Sequence, residues 1–96
     1  MRKKGNDMNL RDLLIDIHAL EQELLAFERK YGVRSETFYA AYASGEEPNE
    51  ISWMLDFGEW GSVYRTWLTR QAEYRNEVDR VRSHRTGLSE LMRVAA

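Results

Sequence analysis

The sequence predicts an all-α protein: two long heptad-patterned helices packed antiparallel, with a short helix between them, coiled-coil-like and dimeric. Two observations carry this. Apolar residues alternate in steps of three and four over two long stretches, a period that strands cannot produce. The breakers Gly32, Gly45 and Pro48 cluster between those stretches and leave room for one short helix. A third observation concerns size. A 96-residue chain with 43% hydrophobic and 31% charged side chains is globular but small, so an extended helical monomer is short of buried surface and a second chain is the usual remedy.

The first helix runs from Leu10 to Tyr31, with Leu10, Leu13, Ile17, Leu20, Leu24, Phe27 and Tyr31 on its seam and Leu14 and Leu25 widening the stripe. Asn9 is the expected N-cap, with Asp12 at the third helical position, and Met8 and Leu13 form a hydrophobic staple. Gly32 suits the left-handed residue that closes the helix, with Val33 folding back on Phe27. Ser35 is the expected cap of the short helix, which places Phe38, Tyr39 and Tyr42 on one side and ends at Gly45. Glu46-Glu47-Pro48 is a solvated connector.

The second long helix is expected from about Asn49 to about Ser83. Its seam is Trp53, Phe57, Trp60, Tyr64, Trp67, Gln71, Tyr74, Val78 and Val81, an unbroken half-heptad repeat. Gly58 and Gly61 fall inside it, each costing about 1 kcal/mol relative to Ala; either they admit a close neighbouring helix or they mark a kink. Gln71 is a polar seam residue of the kind that sets register. Beyond Ser83 the pattern fades, with Ser89 able to cap a last turn carrying Leu91 and Met92. The expected organisation is a flexible segment 1–8 (with Met8 an alternative start), a helical hairpin 9–83, and a tail or short helix 84–96.

Charge is unevenly spread: +2 over residues 1–8, −7 over 9–61 and +3 over 62–96. Asp16, Glu21, Glu23 and Glu28 flank the first seam and would repel in a parallel homodimer, whereas Arg70, Arg75 and Arg82 flank the second. Acid against base favours antiparallel packing of the two long helices, within one chain or by exchange between two.

The residues offer little catalytic chemistry, and no catalytic, cofactor or metal residues are assigned. Cysteine is absent, which removes thiolate nucleophiles and cysteine-based zinc sites. His18 is a surface residue by its heptad position, although pairing with Glu21 would make it a base or a ligand. His84 suits a helix C-terminus. Gly58-Glu59-Trp60-Gly61 lacks the Lys and Ser/Thr of a phosphate loop. The arginines at 65, 70, 75, 80, 82 and 85 follow steps that rotate by ~140° around a helix. They are interrupted by acids, so nucleic-acid binding is not expected. No apolar run approaches a membrane span, and a cytoplasmic setting is expected.

What remains is protein binding. Trp53, Trp60, Tyr64, Trp67, Tyr74 and Val78 are candidate anchors, with Arg70, Arg75 and Arg82 setting orientation; the competing account is that these aromatics fill the interior. The run Phe27-Glu28-Arg29-Lys30-Tyr31-Gly32-Val33-Arg34-Ser35-Glu36-Thr37-Phe38-Tyr39, followed by Tyr42, Gly45-Glu46, Trp60 and Tyr64, resembles a group of short prokaryotic helical proteins that often look like the small partner of a toxin–antitoxin pair. The resemblance covers about Leu10 to Gln71. It implies an antitoxin-like subunit that neutralises a partner protein, with no catalytic residues carried over; that the subunit is a homodimer is expected from the small size and the uncovered seam instead. The extra Pro48–Leu55 stretch and the arginine-rich extension to Ala96 depart from that pattern. A self-assembling coiled-coil scaffold and an RNA-binding accessory protein are the alternatives.

Overall fold

The computed structural model describes residues 8–83 and 87–95; the expectations for residues 1–7 and for His84 lie outside them. Among the described residues there are four α-helices and no strand: α1 (Leu10–Tyr31), α2 (Ser35–Ala43), α3 (Met54–Arg82) and α4 (Leu88–Ala95), with one 3₁₀ turn at Ile51–Trp53. The fold is all-α, built on the long pair α1 and α3. The pair is antiparallel, because Lys30 of α1 bonds Asp56 at the start of α3 while Asp16 bonds Arg70, more than three turns further on.

Local signals explain α1. The Asn9 side chain accepts the Asp12 amide at 2.8 Å, satisfying one of the free donors of the first turn. Gly32 closes the helix at φ 77°, a conformation that costs an L-residue with a Cβ about 1–2 kcal/mol, and its amide reaches the Glu28 carbonyl at 2.8 Å. Leu10, Leu13, Ile17, Leu20 and Leu24 are all buried, and Phe27 and Tyr31 half-buried, so the whole expected seam faces inward. Leu14 and Val33, by contrast, remain exposed.

Two expected boundaries are corrected. α3 begins at Met54, not near Asn49: Glu50 is extended (φ −115°, ψ 130°), and the chain enters through the 3₁₀ turn, in which the Trp53 amide bonds the Glu50 carbonyl. No side chain caps this entry, and an uncapped first turn readily tightens to 3₁₀ geometry. α4 begins at Leu88, so Ser89 lies inside the helix and does not cap it.

α3 passes through Gly58 and Gly61 as one helix. The two glycines differ. A Cβ on Gly58 would meet nothing within 4 Å, whereas one on Gly61 would stand 2.6 Å from Cε2 of Tyr42. Gly61 therefore admits α2 to the surface of α3. The core sits at this crossing, where Leu20, Leu24, Phe38, Trp60 and Val63 are buried and Phe27, Tyr31, Tyr39, Tyr42, Phe57, Tyr64 and Trp67 surround them. α4 folds back against both α1 and α3. The molecule is long, with extents of 51 × 27 × 21 Å and a radius of gyration of 16.8 Å, against roughly 12–13 Å for a compact domain of this size.

Candidate functional site

Trp60 is the centre of the crossing and is fully buried. Its indole lies parallel to the Phe38 ring with centroids 4.0 Å apart, stacks on Phe27 and Tyr31 at 5.5 and 5.7 Å, and meets Phe57 edge-on. A buried indole N–H needs an acceptor. Nε1 of Trp60 donates to Oγ of Ser35 at 3.0 Å. That contact overturns the capping role expected of Ser35: Arg34 is the cap residue, with no side-chain cap bond, and Ser35 is the first helical residue, buried with its hydroxyl turned inward.

Glu28 supplies the missing cap from another helix. Its Oε2 accepts the Ser35 amide at 2.9 Å, placing a carboxylate at the N-terminus of α2, where the helix dipole favours it. Hydrogen bonding from the Ser35 hydroxyl, then from its amide, with nearby Arg34 assisting, holds the Glu28 carboxyl below its ordinary value of 4.5 against the opposing effect of burial. Glu28, Ser35 and Trp60 thus tie α1, α2 and α3 together. A carboxylate whose folded pKa is lowered adds stability that is present above its unfolded pKa and lost as pH falls through the folded one. Below about pH 4.5 this tie weakens as Glu28 protonates. Glu28→Gln should unfold more readily at pH 7 and show a shallower acid loss of stability than the parent, measured by urea denaturation across pH.

Two further clips brace the hairpin. Asp56 accepts from Lys30 at 2.6 Å and from the Tyr31 hydroxyl at 2.5 Å, and these bonds, that from Lys30 first, lower its pKa. Arg70 donates to Asp16 at 2.6 Å and to Glu73 at 3.1 Å.

Three surface depressions flank this frame. The first, about 370 Å³, lies where α2 leaves the α1/α3 groove open; Leu25, Tyr64 and Trp67 line it together with Glu21, Glu28 and Glu36. Trp67 Nε1 donates to Glu21 Oε2 at 3.1 Å, and desolvation raises the pKa of Tyr64. The second, about 310 Å³, is lined by Tyr31, Phe38, Tyr42, Trp53 and Phe57, with Glu46 and Glu47 beside them. The third, about 280 Å³, is formed by Gln71, Tyr74, Arg75 and Val78 on one side of α3.

The residues expected to hold a partner are therefore divided. Trp60 belongs to the interior and cannot be an anchor, because every face of its indole is already in contact. Arg70 is engaged by Asp16 and Glu73 within the chain. Tyr64 and Trp67 line the first depression, Trp53 the second, and Tyr74, Arg75 and Val78 the third, while Arg82 is exposed. Gln71 is half-buried, with no hydrogen bond from its carboxamide among the described residues, while the Arg70 and Asp56 clips bridge α1 and α3. Sequence reasoning missed Glu28 and Leu25 as site residues. Leu25 carried a signal, since it sits one step off the seam and widens it toward this groove.

His18 is exposed on α1, and among the described residues no three His, Asp or Glu side chains converge on a metal position. No helix among the described residues is long and apolar enough to cross a membrane. Compared with models of protein families, with curated proteins and with solved structures, the chain matches none.

Proposed function

We propose that this chain is a non-catalytic protein-binding module, working in the cytoplasm as a dimer, whose first depression receives an apolar, basic helical segment of another protein. The observation that carries the reading is the composition of that groove. Leu25, Tyr64 and Trp67 offer apolar contact between two antiparallel helix walls, and Glu21, Glu28 and Glu36, of which Arg34 pairs with Glu36 alone, give it net negative charge. An amphipathic helix laid between two helices is a recurrent recognition mode, and aromatic side chains at the centre of such a groove carry most of its affinity. The likeness to antitoxin-like subunits makes a toxin the proposed client, held and neutralised without chemistry.

The test is copurification of the tagged chain from its native cell, beside a Leu25→Arg variant. Leu25→Arg places a cation on the groove wall without touching the buried seam. A single stoichiometric protein retained by the parent and lost from the variant is the expected result. A parent that purifies without a stoichiometric companion, or one retained equally by both, refutes the reading.

A second reading, a self-assembling scaffold without a client, is favoured by one observation: large apolar side chains are exposed at both ends of the molecule, with Ile51, Met54 and Leu55 at one and Leu88, Met92 and Val94 at the other.

A further inference from the structure

Each end of this elongated molecule carries apolar surface together with an excess of one sign of charge that forms no ion pair among the described residues, offset only in part by Arg29 at the first end and Asp79 at the second. At the end formed by the connector and the start of α3, Ile51 and Leu55 are 86% and 87% exposed and Met54 is exposed beside them. The aromatic depression with Glu46 and Glu47 opens at the same end. Glu46, Glu47 and Glu50 form no ion pair with any described residue, while Asp56 close by is engaged by Lys30. At the opposite end, α4 leaves Leu88 and Met92 63% and 61% exposed. There Arg75 and Arg82 of α3 are exposed and form no ion pair with any described residue, although Arg70 and Arg80 each hold a carboxylate.

These two surfaces are complementary in both respects and cannot reach each other within one chain. At about 1.5 Å per residue, Leu55 and Arg82 stand roughly 40 Å apart along a straight α3. We infer that the chain pairs with a second copy of itself in antiparallel orientation, the acidic apolar end of each covering the basic apolar end of the other. An antiparallel pair is two-fold symmetric and closed, so both contacts form at once and no unmatched end is left to propagate a filament. Opposed charges set the orientation: a parallel pair would bring Glu46 and Glu47 against their own equivalents. Planar arginine guanidinium groups suit this surface, because they stack on aromatic faces and fork onto carboxylates. The inference rests on the functional reading only in requiring a dimer.

The test is sedimentation equilibrium on the full chain and two charge-reversed versions, Glu46→Arg with Glu47→Arg, and Arg75→Glu with Arg82→Glu. All four side chains are exposed and form no ion pair among the described residues, so helicity by circular dichroism should be unchanged. The parent should sediment at twice 11.3 kDa. Each variant alone should dissociate at least about tenfold more readily, since both of its contacts become repulsive. Mixed together, the two should form a heterodimer, because both contacts are then again between opposite charges. A monomeric parent overturns this pairing and the dimeric part of the functional reading. A dimer indifferent to both reversals overturns the pairing alone and leaves client binding standing. A mass that grows without limit with concentration overturns the closed arrangement.

Discussion

Trp60→Ala should cost about 3–5 kcal/mol, the range for removing a large aromatic from a packed interior. A small domain has only about 5–15 kcal/mol in total, so the variant should be largely unfolded under mild denaturant that leaves the parent intact. The cost has two sources. The ring is in contact with Phe27, Tyr31, Phe38 and Phe57, and their facing surfaces would line a void. The Ser35 hydroxyl, buried, would also lose its indole donor. Trp60→Phe separates these terms, since it keeps much of the stack and loses only the hydrogen bond and the extra ring. Urea denaturation followed by far-ultraviolet circular dichroism measures both. If Trp60→Ala unfolds within about 1 kcal/mol of the parent, the account of the core given above is wrong.

The second large effect separates two glycines three residues apart. Gly61→Leu should destabilise by about 3 kcal/mol, because its side chain would start 2.6 Å from the Tyr42 ring and force α2 off α3. Combining it with Tyr42→Ala should recover part of that loss, a coupling that independent sites would not show. Gly58→Ala should stabilise by up to about 1 kcal/mol, since it adds helix propensity into open space. Thermal unfolding of the set decides the matter. Equal responses at the two positions would mean that α2 does not approach α3 at Gly61.

The heptad repeat made the long helices and their inward faces legible, since every seam residue of α1 is buried or half-buried and α3 runs on through both glycines. Charge made the antiparallel pairing legible, although among the described residues only Arg70 of the three flanking arginines forms the expected ion pair with α1. Arg75 and Arg82 form no ion pair among the described residues, a distinction that heptad position alone does not draw.

By itself, then, the sequence determined the all-α class, the two seams, the Asn9 and Gly32 helix ends and the short helix between them. Each of these follows from local spacing or from one residue's own backbone preferences. Only the tertiary structure decided which aromatics are interior and which are surface, because Trp60 and Trp67 share one seam and differ only in what α2 covers. It also decided that Ser35 serves Trp60 and that Glu28 caps a helix seven residues away. Those roles depend on the angle at which α2 crosses the pair, which is set by the absence of a side chain at Gly61 and the bulk of the rings around it.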